Sequence, residues 1–465
     1  MSEEPEPVPA KRRALAERRE IVGHSQETLA RLVGVEPTTV GRWERGKTCP
    51  QPWCRPKLAE ALTVSIEVLD AMLAEGQTGE DRRATGWESR HSAEMISDSE
   101  HDPVLAPPWN HRGTVESAVV LSEGDGVKRR KFVFLSGVTL TAPAHQWLVH
   151  EPGPLVSGLS GRRVSSALVD RLIAMIPELR AMDDVAGGGA MLLLAEQEFG
   201  VVARLLDRAS YDEATGCKLH RALAELGQLA GYGAFDSGQP GLAQRYNIAA
   251  LRAAHTVNDR PLGAHILGFM AYQSTRQARP GEAVTLIETA LAGLRGRGTP
   301  ALLAALYGWQ ADAFATLRDN SGCTAAMAKA RAQIEHLNPD DDLPYLYWVT
   351  QAEITAYAGQ CLLQRGDTGQ AIALLNEGIA LFDELFARDR QAYLTHLACA
   401  QIRPGKHRDL NNAAARGIEA IDIAQSLHST YSVGLLSDLY NQMKAHAKVP
   451  AVRDFMERAH GLVTV

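Results

Sequence analysis

Between residues 37 and 47 the chain carries groups suited to reversible recognition of hydrogen-bonding edges and charge: Pro37, Thr38, Thr39, Arg42, Arg45 and Lys47, with Gln26 just ahead of them. A guanidinium at Arg42 can hold a guanine through two parallel hydrogen bonds, and Thr38 can touch a thymine methyl. Pro37, Thr38, Thr39 and Arg42 are therefore candidates for base contacts. Gln26, Arg45 and Lys47 are placed to grip phosphates, which adds affinity but carries no sequence information. Covalent chemistry has no comparable address. There is no Walker A loop, no G-x-G-x-x-G after a strand, no H-E-x-x-H and no G-x-S-x-G, and the three glycines at 187–189 lie between helices with no Lys-Ser/Thr behind them. Cys49 and Cys54 have no second pair, and the histidines are scattered, so neither a metal site nor a cofactor is expected, and the chain is not expected to be an enzyme.

Positioning such residues outward takes a particular local structure. Counting from Gln26, a small residue stands fifth (Ala30), a glycine ninth (Gly34), and apolar residues fifteenth and eighteenth (Val40, Trp43), as two helices crossing at a tight turn require. Gly34 supplies the left-handed conformation of the turn, while Leu29, Leu32, Val40 and Trp43 are expected to form the apolar wedge. The third helix is predicted to begin near Glu36 with Pro37 at its first position, where a missing N–H costs nothing. Its outward face then carries Thr38, Thr39 and Arg42 into a DNA major groove.

Charge agrees with that placement. The 465 residues carry a net charge of −7, yet between Lys11 and Lys57 eleven Lys or Arg face five Glu, a local +6 that leaves −13 for the rest. Nucleic acid therefore has one address on the chain.

From Leu15 to Leu69 the sequence resembles the XRE family of phage-repressor-like regulators, through LAERREIVGHSQETLARLVGV, RWERGKT and PKLAEALTVSIEVL. The resemblance covers about the first 75 residues. It implies a five-helix DNA-binding domain that docks its third helix in the major groove, commonly as a homodimer on two half-sites. Where many members have Ser or Thr before the recognition helix and glutamines on it, this chain has Glu36 and Pro37.

Composition divides the remainder. Residues 1–10 read as an acidic, proline-rich disordered arm, 11–75 as the DNA-binding domain with Ser65 capping its last helix, and 76–127 as linker, with Trp87 and LAPPW at 105–109 apolar enough to dock. Residues 128–160 form a basic, then apolar, connecting segment. Within it Arg129, Arg130 and Ala142-Pro143-Ala144 imitate a twin-arginine export signal, which should be silent behind a complete domain, so the segment is expected to pack on the helical domain. No run of 18 apolar residues and no N-terminal signal is evident, and a cytoplasmic protein without membrane contact is expected.

Residues 161–465 show helical periodicity throughout and no convincing strand. Helices recur with short Pro/Gly/Asp turns and a second helix opening on Gly241, Gly281, Gly322, Gly369 and Gly405. Two residues after the marker stand Ala243, Ala283 and Ala371, and nine after it Ala250, Ala290, Gly378 and Ala414; the Gly322 unit has Thr324 and Arg331 instead, and the Gly405 unit has His407. These small positions are similar to tetratricopeptide packing, although the spacings exceed the usual period. The fold class expected is all-α: a small five-helix domain plus an α-solenoid of helical hairpins. Aromatics at Tyr272, Tyr307, Trp309, Tyr345, Tyr347 and Trp348 are assigned to the first helices of the hairpins, and five of them, Tyr272, Tyr307, Trp309, Tyr345 and Trp348, are candidates for lining an effector groove.

The combination resembles XRE-type regulators with tetratricopeptide-like C-termini, a class that includes peptide-sensing repressors and developmental or secondary-metabolism regulators. It implies a transcriptional regulator that binds double-stranded DNA as a homodimer and whose repeats hold a peptide, a small molecule or a protein. The alternative is an adaptor or antitoxin-like protein that holds a protein partner and binds DNA for autoregulation.

Overall fold

The computed structural model describes residues 12–73, 102–123 and 132–463, apart from short stretches within them. The chain is all-α, and among the described residues it forms twenty α-helices and no strand, only two isolated bridges. It divides into two compact units, Met1–Ser97 and Asp98–Val465.

The first unit contains α1 (Arg13–Ile21), α2 (Gln26–Val33), α3 (Pro37–Glu44) and α4 (Arg55–Ala61). Ser25 caps α2 by accepting the amide of Thr28 at 3.0 Å, and Gly34 ends it in the left-handed region at φ 82°. Leu15, Leu29, Ala30, Val33, Val40, Trp43, Leu58, Leu62 and Leu69 form the core. Leu32, expected in the wedge, is instead 52% exposed. At 100° per residue Leu29, Ala30 and Val33 share the inward face of α2, which turns Leu32 outward. The last expected helix, from Ser65 to Leu73, falls largely outside the described residues, but Leu69 and Leu73 are buried in this core.

In the second unit, ordered packing starts earlier than composition suggested. The expected linker ends in α5 (His111–Glu123), whose Val115, Ala118 and Leu121 join the main core. Just before it Asp102 pairs with Arg245 at 2.8 Å, both buried, and Arg252 donates to the carbonyls of Leu105, Pro107 and Pro108 beneath the ring of Trp109. LAPPW docks as its apolar residues suggest, with Leu105 and Trp109 against the main core, and buried guanidiniums that need carbonyl and carboxylate partners hold the stretch in place. Next, α6 (Val138–Val149) lays a fully buried Trp147 against Gly263 and Gly293, where a methyl group would collide with the indole. Ala142-Pro143-Ala144 lies inside α6; Arg129 and Arg130 lie outside the described residues.

Next come α7 (Ser166–Ala186), capped by Ser165, and α8 (Gly188–Arg208), separated at Gly187. Six hairpins complete the unit: α9 (Glu213–Asp236) with α10 (Pro240–Thr256), α11 (Arg260–Arg276) with α12 (Pro280–Leu294), α13 (Pro300–Thr316) with α14 (Asn320–Ile334), α15 (Gln351–Arg365) with α16 (Thr368–Leu381), α17 (Ala387–Ile402) with α18 (Leu410–Ala424), and α19 (Thr430–Met443) with α20 (Pro450–Val463). Left-handed residues stand in hairpin turns at Gly238, Ala278, Arg318 and Gly366, and Asn258 is another in the turn between the first two hairpins.

The hairpins correct two assignments of register. Gly405 does not open a helix but sits in the turn before α18, so the second residue of that helix is Asn411; in α14 it is Ser321, one before Gly322. Counted from these positions, the small residues reappear: Ala413 and Ala420 in α18, Cys323 and Ala330 in α14, all buried, while Thr324 and Arg331 face solvent. Close approach makes them necessary. A methyl group on Gly378 would lie 2.6 Å from the backbone nitrogen of Ala356 in the facing helix.

Candidate functional site

The first helices of the hairpins turn their side chains into one cavity of about 960 Å³, its open mouth included. Its aromatic part comes from Tyr232 on α9, Phe269 and Tyr272 on α11, Trp309 on α13, and the turn Pro344–Leu346 with the residues after it. That turn belongs to an insertion between α14 and α15, so Tyr345, Tyr347 and Trp348 do not lie along a first helix as expected. Within the cavity Trp309 and Trp348 lie 5.6 Å apart, and Phe269 is 5.1 Å from Trp309. His265 stacks on Tyr345 at 4.9 Å; burial pushes its imidazole down to about 3, so the ring is neutral and serves as one more aromatic face.

One wall is α7, which reaches from α9 to α17. Arg180 pairs with Glu225 at 2.6 Å, Asp183 with Arg388 at 2.6 Å, and Asp184 accepts the Tyr347 hydroxyl at 2.6 Å. Beside it the entry to α19 closes against the start of the array. The amide of His428 donates to Ala186 at 2.8 Å, Ser429 donates to Asp236 at 2.6 Å, and Asp236 also accepts the amide of Gly188 at 3.0 Å. The glycines at 187–189 are thus more than a helix break. A side chain at Gly188 or Gly189 would meet Asp236 or the His428 carbonyl within 3 Å.

Carboxylates and guanidiniums share the interior. Arg276 pairs with Asp312 at 2.7 Å and donates to Tyr431 at 3.1 Å; Arg388 also lies 3.7 Å from Asp389. Glu353 accepts the Tyr393 hydroxyl at 2.7 Å on one oxygen, and its other oxygen has no partner. Desolvation lifts the Glu353 carboxyl up to about 8 and Asp184 up to about 6, and raises Asp389 as well. Such a set has the chemistry to bind and orient polar groups within an aromatic box.

A different surface is built in the first unit. Pro37 is the first residue of α3, Thr38 and Arg42 stand one turn apart and exposed, Thr39 is half-buried, and Arg45 is exposed just past the helix end. Behind them Glu44 accepts from Arg19 and from the side-chain amide of Gln26, both at 2.6 Å, and its carbonyl accepts the amide of Arg12 at 2.8 Å. The hydrogen bond and charge of Glu44 raise Arg19 above its ordinary range. This pins α1 and α2 to the end of α3 and fixes the presentation of Arg42. A methyl group on Gly41 would sit 3.1 Å from the Arg45 guanidinium and 3.2 Å from the Gln26 amide oxygen, so these two side chains converge over a residue without one. Lys47 lies outside the described residues. Residues 15–69 match the helix-turn-helix family. The match supports an XRE-type helix-turn-helix domain over these residues. The chain is accordingly a DNA-binding regulator in the general sense. No curated protein matches it.

In the helix-turn-helix domain the candidate residues described lie on or beside one face of α2 and α3. In the hairpin unit Tyr272, Trp309, Tyr345 and Trp348 line the cavity together with Tyr347, whereas Tyr307 is outside it, packed under Lys329 at 5.3 Å from the ring centre. Sequence reasoning missed the charged lining: Arg180, Asp183, Asp184, Arg276, Glu353, Arg388 and Asp389. The one signal was charge where helix periodicity calls for apolar residues, as at Glu353 in an alanine-rich run. No described helix is long and apolar enough to cross a membrane.

Proposed function

We propose that this protein is a sequence-specific transcriptional regulator whose hairpin array, a tetratricopeptide-like domain, is the sensor for an effector. One observation carries the reading: a helix-turn-helix domain with exposed Thr38, Arg42 and Arg45 shares its chain with an array whose first helices enclose an aromatic cavity containing buried charge. A dimerisation device needs an outward face; it has no need of an interior with an unpartnered carboxylate oxygen. In this reading the cavity binds and does not catalyse. Pro37, Thr38, Thr39 and Arg42 read bases, while Gln26, Arg45 and Lys47 hold phosphates. One such domain covers a half-site, so a homodimer on an inverted repeat is the expected complex.

Effector and operator are then coupled, by about 1–3 kcal/mol in typical cases, and operator DNA must change effector affinity by the same factor. Native mass spectrometry of protein purified from its own host, followed by operator titration with and without the retained molecule, tests this. A retained small molecule or peptide that shifts operator affinity supports the sensor. An empty cavity, with operator affinity indifferent to host extract, overturns it. Recovery of a bound protein instead replaces it with the adaptor or antitoxin-like reading.

A further inference from the structure

The charges around the cavity do not balance. Each of its three guanidiniums is matched by one acid: Arg180 by Glu225, Arg276 by Asp312 and Arg388 by Asp183, at 2.6, 2.7 and 2.6 Å. Three further lining carboxyls, Asp184, Glu353 and Asp389, have no cation of their own, and no lysine lines the cavity. Asp184 and Glu353 are met by tyrosine hydroxyls, and Asp389 has only the distant edge of the already paired Arg388. Glu353 is 8% exposed and keeps an oxygen without a partner, as does the Tyr345 hydroxyl.

Aromatic faces are unevenly used as well. Arg276 covers Tyr272 and Arg388 covers Tyr232, each at 4.8 Å, whereas among the described residues no cation lies over Trp309 or Trp348. Indole is the strongest of the aromatic faces toward a cation, and a desolvated site increases the effect.

We infer that the cavity takes an organic cation, an ammonium or amidinium held among Asp184, Glu353 and Asp389 with an apolar body against Trp309 and Trp348. This rests on reading the cavity as the effector site. The paired arginines leave no free positive charge for a carboxylate or phosphate, while a neutral ligand would leave these acids without an ionic partner.

Burial raises all three carboxyls, Glu353 to about 8, so at neutral pH Glu353 holds its proton in the empty protein and an entering cation releases it. The groups facing Glu353 are Tyr393, Arg388 and Asp389; those facing Asp184 are Tyr347, Arg388, Asp183 and Asp389. A carboxyl whose folded pKa is raised stabilises the fold fully below its unfolded value and loses that contribution as pH rises through the folded one. The empty protein therefore loses stability as pH climbs toward about 6 for Asp184 and about 8 for Glu353, and a bound cation restores it.

Calorimetry on the full chain with three indoles of similar shape tests the inference: tryptamine as cation, 3-ethylindole as neutral, indole-3-propionate as anion. Tryptamine is expected to bind about tenfold tighter than either of the others, more strongly as pH rises. Asp184→Asn and Glu353→Gln should each weaken tryptamine about tenfold and leave the neutral indole unchanged, in variants whose melting shows a native fold. A dipeptide with a free amino terminus and its N-acetylated form separate a peptide terminus from a small amine, and acetylation must abolish binding. Equal or tighter binding of the anion, tryptamine affinity indifferent to both substitutions, equal binding of the acetylated peptide, or no binding of any probe at millimolar concentration overturns the inference. Operator titration keeps the two readings apart. A cation that binds without changing operator affinity sinks the sensor and spares the cation site, whereas an anion that binds and does change it sinks only the cation site.

Discussion

Arg42 and Arg388 are the same side chain put to opposite uses. In the helix-turn-helix domain the working groups point outward from a small core, and the charges behind them, Arg19 and Glu44, serve to hold α3 in place. In the hairpin unit the working groups point inward, and Arg388 lies under Tyr232 with its charge met by Asp183 and Asp389. An exposed guanidinium is nearly free to exchange water for a phosphate or a guanine. A buried one is committed to its partners, and the space left beside them becomes selective because nothing there is solvated cheaply. On the functions proposed, the difference teaches where each unit would get its specificity: one from what it displays, the other from what it leaves without an ionic partner.

Five substitutions test that contrast. Arg388→Ala strands Asp183 and Asp389 in the interior and should cost the hairpin unit about 3–5 kcal/mol, as expected when one partner of a buried pair is removed. Urea unfolding should show the loss, and a wild-type midpoint would mean that the pair is hydrated. Next comes Arg42→Ala, with stability unchanged but about 1–3 kcal/mol lost at the best site and preference relaxed at one or two base pairs. Arg45→Ala should weaken all sequences alike; selection from a randomised duplex pool separates the two, and an unchanged selected sequence for Arg42→Ala would misplace the recognition helix. Gly34→Ala is smaller, about 1 kcal/mol in thermal unfolding, because φ of 82° strains any residue with a Cβ although no atom lies near enough to clash. Leu32→Ala should be smallest, within about 0.5 kcal/mol, since that side chain is outside the core. A loss of core size there would return Leu32 to the wedge.

How much could be read in advance differed between the units for a physical reason. Residues that act within one turn of helix leave a local trace: Ser25 as cap, Gly34 as left-handed turn, Pro37 as first helical residue, the alternating inward face of α2. Even there Leu32, expected in the wedge, is left exposed, whereas the packed helices bury Val33 beside Leu29 and Ala30. The array was legible as all-α hairpins because its period is local, but its markers were not, since a glycine before a helix and a glycine within it look alike. Only the packed helices placed the register at Ser321 and Asn411 and restored Cys323, Ala330, Ala413 and Ala420 to their interfaces.

By itself the chain's residue order determined the DNA-reading element, because a helix-turn-helix is built from contacts within about twenty positions, and the all-α class, because helical periodicity repeats every few residues. Tertiary structure alone decided the rest. Asp102 and Arg245, Asp183 and Arg388, Asp236 and Ser429 are separated by 143, 205 and 193 positions. No local pattern encodes such pairs, so the closure of α7 and α19 over the array, the carboxyls left inside it and the exclusion of Tyr307 appear only when distant helices meet.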